Sequence, residues 1–148
     1  MPTTEPFLRW AGGKTWLLPS LPDIIGELQF EHYHEPFLGG GAIFFSLERK
    51  KRAYLSDANK QLVNAYIQVR DNPDRLITFL QGLPNTENDY YRIRGEITAD
   101  NTVENAARFL YLNQTSFNGL YRVNQAGRYN VPYGFRANWT YDTERIRV

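Results

Sequence analysis

Apolar and polar positions follow two different patterns along this chain. Over the first 58 residues, short apolar runs alternate with glycine-rich breaks. "FLRWAGGKTWLLPSL" gives an apolar segment, a turn at Gly12-Gly13 and a helix opening at Lys14 or Thr15, limited by Pro19 and Pro22. "FEHYHEPF" reads as a strand packing through Phe30, Tyr33 and Phe37, and "RAYLSDAN" as a second strand ending at Asp57. Between them "GAIFFSLERKK" predicts a helix whose basic last turn suits its dipole. Strand, glycine loop, helix, strand and acid form a βαβ unit, the building block of a parallel sheet covered by helices. A single unit leaves open sheet edges.

From Asn59 onward the period is helical. "NKQLVNAYIQVRD" is amphipathic and stops at Asn72-Pro73, and "PDRLITFLQGL" begins on a well-placed proline. "NDYYRIRGEI" and "TVENAARFLYLNQTSF" continue the pattern, the latter with Thr102 as cap. Periodicity then fails. "FNGLYRVNQAGRYNVPYG" carries turn signals at Asn118-Gly119 and Ala126-Gly127, which predict a loop leading into a β-hairpin. The expected architecture is α/β: half of a nucleotide-type fold over residues 1–58, then a mainly helical segment with a hairpin over 59–148.

Composition narrows the class. At 148 residues with 42% hydrophobic and 15% aromatic side chains, the chain can build a real core. Cysteine is absent, which removes disulfides, thiolate metal sites and cysteine nucleophiles and suits a reducing cytosol. The N-terminus lacks the pattern of a signal peptide, and no apolar run approaches the roughly 18 residues of a membrane span. A soluble cytoplasmic protein without a membrane partner is expected. The net charge of +1 conceals an uneven distribution. Asn105 to Tyr141 holds four arginines (Arg108, Arg122, Arg128, Arg136), nine aromatics, six asparagines and no carboxylate. Such a mixture suits a nucleic-acid surface, and equally a polar, aromatic-rich loop region.

The glycines carry the first chemical suggestion. Gly39, Gly40 and Gly41 follow a strand and precede a helix, yet the third position of a dinucleotide fingerprint falls on Phe44, so NAD fits poorly and a dinucleotide oxidoreductase is disfavoured. Asp57 lies 18 positions after Gly39, close to the roughly 20 at which an acid holds ribose hydroxyls. A nucleoside cofactor with a carboxylate and no phosphate fits better; a tight strand–helix turn beside a solvated acid is the plain alternative. Lys14 is badly placed for the dipole of its own helix, which suggests an anionic partner, and Trp10 offers a broad face to an apolar ring or a cation. His32 and His34 face one side of a strand; without a third ligand they are expected to be structural rather than metal-binding.

In this order, "FLRWAGGK", "EPFLGGGAIFF", "LSDAN" and "FNGLYRVNQAGRYNVPYG" resemble Dam-type adenine-specific DNA methyltransferases over essentially the whole chain. The resemblance implies methyl transfer from S-adenosylmethionine to the exocyclic amine of a flipped adenine in double-stranded DNA. It implies a partial Rossmann-like methyltransferase fold over 1–58 and a target-recognition domain over 59–148. Trp10, Lys14, Glu35, Phe37, Gly39, Gly40, Gly41 and Asp57 would bind the cofactor. Asn118, Leu120, Tyr121, Arg122, Asn124 and Pro132 would face DNA, with Arg122 on guanine or phosphate and Leu120 or Tyr121 wedged beside the flipped base.

Two departures qualify that picture. The catalytic motif Asp-Pro-Pro-Tyr is nowhere in the chain, so no residue here is expected to be catalytic. An incomplete fragment, inactive alone and dependent on a C-terminal part or a dimer mate, is the expectation; a non-catalytic DNA-binding module with a vestigial cofactor loop is the alternative. Members that read GATC have an arginine just after "VP-x-G", where this chain has Phe135 and then Arg136.

Overall fold

The computed structural model describes residues 5–47, 52–136 and 139–147. Two short parallel strands, β1 (His32–Glu35) and β2 (Arg52–Leu55), pair in register from His32↔Arg52 to Glu35↔Leu55. The expected helix at Lys14 is a 3-10 turn over Lys14–Ser20, followed by α1 (Leu21–Ile25) with Pro22 in its first turn, where a missing N–H is harmless. The crossover helix α2 (Ala42–Ser46) is shorter than expected, because Leu47 is already extended. The basic turn expected after it falls on residues 48–51, outside the described residues. β1 also ends earlier than expected. Tyr33 packs between Phe30 and Phe44, but Phe37 lies beyond the strand and is 79% exposed, so it is not a packing residue.

The second half follows the apolar period closely. Helices α3 (Lys60–Asp71), α4 (Pro73–Gln81), α5 (Glu87–Gly95) and α6 (Val103–Thr115) occupy the expected segments. Their starts are fixed by side-chain caps: Asn59 accepts from Gln61 and Leu62, Thr86 from Asp89, and Thr102 from Asn105. Helix α6 is buried on nearly all sides, and α3, α4 and α5 lie against it. Leu62, Leu76, Leu80, Tyr90, Ile93, Leu110 and Leu112 form the centre of the core. Each such side chain contributes about 1.5–3 kcal/mol on burial. Phe7 and Leu8 from the N-terminal segment and Ile146 near the other end close the same core. The α3–α6 seam is polar but satisfied: the Asn64 amide donates to Thr102 O (3.0 Å) and Asn105 Oδ1 (3.1 Å), and Gln68 donates back to Asn64 (3.1 Å).

Two readings of the arginine-rich window change. Arg108 is not a surface cation: it is buried and donates to the carbonyls of Ile93 and Arg94 at the end of α5. Burial holds its guanidinium below the usual arginine range, with nearby Glu96 opposing. The expected hairpin is reduced to two isolated antiparallel bridges, Ser116↔Tyr133 and Val123↔Tyr129. Its turn is closed by Asn124, whose side-chain oxygen accepts from the backbone of Ala126 and Arg128, each at 3.0 Å. Among the described residues, no helix is long and apolar enough to cross a membrane.

Candidate functional site

The segment Glu35–Gly41 is where the N-terminal candidates meet. Gly39 and Gly41 have φ of +54° and +73°, which L side chains rarely adopt. Bare backbone is required here for a second reason, and the nearest neighbour is the protein itself. A Cβ at Gly39 would lie 3.0 Å from the Trp10 indole and one at Gly40 3.2 Å from Trp10 Cβ; one at Gly41 would meet the Tyr66 hydroxyl at 2.7 Å and the Phe45 ring at 2.9 Å. Asp57 is tied to the same loop. Its carboxylate accepts from Gly39 N (3.0 Å) and from Asn59 N (2.9 Å), joining the end of β2 to the glycines and to the start of α3.

Lys14 finds its anion within the chain. Its ammonium pairs with Glu35 at 3.2 Å and donates to the Phe37 carbonyl, so the unfavourable helix position is offset by a buried carboxylate. The other Glu35 oxygen accepts from the Tyr33 hydroxyl at 2.8 Å, and the Tyr66 hydroxyl donates to Gly39 O at 3.1 Å. Burial, and then the negative charge of Glu35, push both phenols well above their ordinary range, so they are neutral donors at physiological pH. Trp10 sits with one side on the glycines and stacks at 5.7 Å on Tyr121. His32 and His34 are exposed on the sheet and stack on Tyr54, at 6.0 and 4.6 Å. Among the described residues no group of three or more His, Cys, Asp or Glu could hold a metal ion.

The second candidate set surrounds the loop after α6. Asn118 (φ +53°), Leu120, Arg122, Asn124 and Pro132 are exposed. Tyr121 is half-buried between Trp10, Phe109 and Tyr129, so it is part of the packing rather than a free wedge. Arg122 lies across the bridged segment, donating to Asn130 Oδ1 (2.7 Å) and Asn130 O (3.1 Å). Beside Asn118 a cleft of about 550 Å³ opens, lined by Arg9, Gln114, Phe117, Arg136 and Arg145 among others, with no carboxylate in its lining among the described residues.

Two closely spaced sets therefore flank Trp10, one acidic and glycine-rich, one basic and aromatic. The sequence profile of D12 class N6 adenine-specific DNA methyltransferases matches residues 10–148. The chain belongs to this family. The D12 chain is similar to type II methyltransferase M1.LlaDCHI of Lactococcus lactis subsp. cremoris, 43% identical over 88% of this chain and 48% of that protein. It is also similar to type II methyltransferase M.MjaIII of Methanocaldococcus jannaschii, at 39% over 88% and 52%. DNA adenine methylase of Salmonella typhi matches at 36% over 90% and 49%. The chain thus spans about half the length of the curated relatives it matches.

Sequence reasoning missed several residues that hold the glycine loop and Trp10 in place. Tyr33 reads from sequence only as a packing aromatic and Tyr66 only as part of an amphipathic helix, although their hydroxyls fix Glu35 and Gly39. Asn113 was invisible as a positioning residue. Buried in α6, its Oδ1 accepts from Arg9 N at 2.9 Å and its Nδ2 donates to Arg9 O, holding the backbone of the segment that carries Trp10. The available signal was an amide directly after the apolar run Phe109–Leu112 of the same helix.

Proposed function

We propose that this chain is the cofactor-cradling and DNA-facing part of an adenine-specific DNA methyltransferase, acting on the exocyclic amine of adenine in duplex DNA. In this reading residues 1–58 begin a Rossmann-like domain and residues 59–148 form the target-recognition domain, in a cytoplasmic enzyme. Convergence of Trp10, Lys14, Glu35 and Asp57 on one glycine loop is the observation that carries it.

The residues present fit S-adenosylmethionine. Asp57 is half-buried and fixed by two backbone N–H groups, with lone pairs left on both oxygens for a ribose diol. Phe37 leaves an aromatic ring open beside the loop, and Lys14, tied to Glu35 and Phe37, keeps the loop in shape for Gly39–Gly41 to approach a ligand closely. When bound, the cofactor supplies an electrophilic methyl group on a sulfonium. The chain's own contribution is positioning: the loop fixes one reactant, and Asn118, Leu120, Arg122, Asn124 and Pro132 hold the duplex within reach. No residue here receives a catalytic role. The groups that orient the amine would come from a further part of the enzyme or a dimer mate.

Calorimetry with S-adenosylhomocysteine tests this reading. Micromolar binding is expected, weakened at least about tenfold by Asp57→Ala, the loss of roughly one charged hydrogen bond. Absence of any binding by the native chain would leave a DNA-binding module with a vestigial loop. On the other face, affinity for duplex DNA is expected to fall steeply with salt, as counterion release requires. Arg122→Ala should weaken it several-fold; binding indifferent to salt would rule out a phosphate-tracking surface.

A further inference from the structure

We infer that Tyr90 is a positioning residue for duplex binding, acting through the carbonyl of Val131 at the base of the DNA-facing arm. This role rests on the DNA-binding reading above. The arm, residues 117–134, is fastened at its last four residues. Gly134 N donates to Thr115 O at 2.8 Å and Phe117 N to Pro132 O at 2.9 Å, which lays this base along the end of α6. The fit is tight, since a Cβ at Gly134 would lie 2.6 Å from Ser116 O. Pro132 has no N–H of its own to donate. The carbonyl before it is taken up from the side of α5: Val131 O accepts from the Tyr90 hydroxyl at 2.7 Å and from Arg94 Nη1 at 3.0 Å. Farther out, backbone bonds run between arm residues, as from Asn124 N to Arg128 O and from Asn130 N to Arg122 O. The direction of the arm is therefore set where Val131 to Gly134 are held.

Packing alone does not require the hydroxyl. The Tyr90 ring packs on Tyr91, Tyr111 and Tyr133, contacts that phenylalanine would keep. A buried hydroxyl costs stability unless it is bonded, so its acceptor accounts for its presence. Val131 is itself buried, and two side-chain donors fill both lone pairs of its carbonyl. The end of α5 from which Arg94 reaches is fixed in turn, because buried Arg108 donates to Ile93 O (2.9 Å) and to Arg94 O. Arg108, which from sequence belongs to a basic window, thus serves the arm from behind: it holds α5, and α5 holds Val131. Tyr90 is 0% exposed and touches no duplex itself, so its influence passes through the arm.

Duplex titration, calorimetry with S-adenosylhomocysteine and amide hydrogen exchange on the native chain, Tyr90→Phe and Tyr111→Phe test this. Tyr90→Phe is expected to weaken duplex binding about three- to tenfold, the worth of one hydrogen bond, with S-adenosylhomocysteine affinity unchanged. Exchange at Asn130 N and Gly134 N should quicken in the same variant, while amides of α3 and α4 keep their native rates. Tyr111→Phe is the control: it removes a bond of similar length from the same core, but to Pro84 O (2.9 Å) rather than to the arm, and should bind duplex as the native chain does. Equal losses in both variants, or a parallel loss of S-adenosylhomocysteine affinity in Tyr90→Phe, would reduce the hydroxyl to general stability and overturn the proposal. Native exchange rates at Asn130 and Gly134 in Tyr90→Phe would overturn it too. Duplex binding that Tyr90→Phe leaves intact sinks this role alone, whereas no duplex binding by the native chain sinks the DNA-binding reading and this role with it.

Discussion

Gly41→Val is expected to lower the unfolding free energy by about 3 kcal/mol and to disorganise the loop from Glu35 onward. Part of that loss is backbone strain, about 1–2 kcal/mol for an L side chain held in the left-handed region. The remainder is overlap, at the 1–3 kcal/mol typical of overpacking. The new Cβ would sit 2.7 Å from the Tyr66 hydroxyl and 2.9 Å from Phe45. Neither neighbour can retreat cheaply. Tyr66 is anchored by its bond to Gly39 O, and Phe45 is wedged against the rings of Phe7 and Tyr66. Urea unfolding read at constant m-value measures the loss, and S-adenosylhomocysteine affinity should fall with it. A variant as stable as the native chain would show that the loop has a second conformation open to it.

Asn113→Leu should destabilise by roughly 2–4 kcal/mol although leucine is the more apolar residue and a better helix former. The side chain is 5% exposed and satisfies both the N–H and the C=O of Arg9. Replacing the amide orphans two backbone groups in a half-buried place, and each unsatisfied group costs about 1–3 kcal/mol. The effect should extend beyond stability, because residues 7–10 carry Phe7 and Leu8 into the core and Trp10 onto the glycines. Chemical denaturation of Asn113→Leu against Asn113→Asp, which keeps the acceptor and loses the donor, separates the two bonds. Unchanged stability in the leucine variant would remove the clamp from the account of the fold.

What could be read beforehand divides along sequence distance. Helices α3 to α6 were legible because their signals are local: an apolar stripe, Thr102 three residues before the N–H it caps, and the Asn72-Pro73 break. The spacing of Gly39 and Asp57 was likewise legible, and the two are hydrogen-bonded. Contacts whose partners lie far apart in the chain were not. Arg9 and Asn113 are 104 positions apart, and nothing near either one announces the other. Arg108 looked like a member of a basic surface because a one-dimensional window does not distinguish a cation facing water from one capping a neighbouring helix. Lys14 showed the same limit in reverse: its need for an anion was readable, but the anion is Glu35, whose strand also had to be placed. The truncated β1 and the bridged rather than fully laddered hairpin reflect weak strand signals in segments where tertiary neighbours decide the pairing.

Trp10 joins two distant parts of the chain. Its indole closes against Gly39 and its Cβ against Gly40, and its ring stacks on Tyr121, in the arm that follows α6. A single side chain thus touches both the glycine loop and that arm. Tyr121 and the glycine loop are thereby linked through one ring, across more than eighty positions of sequence.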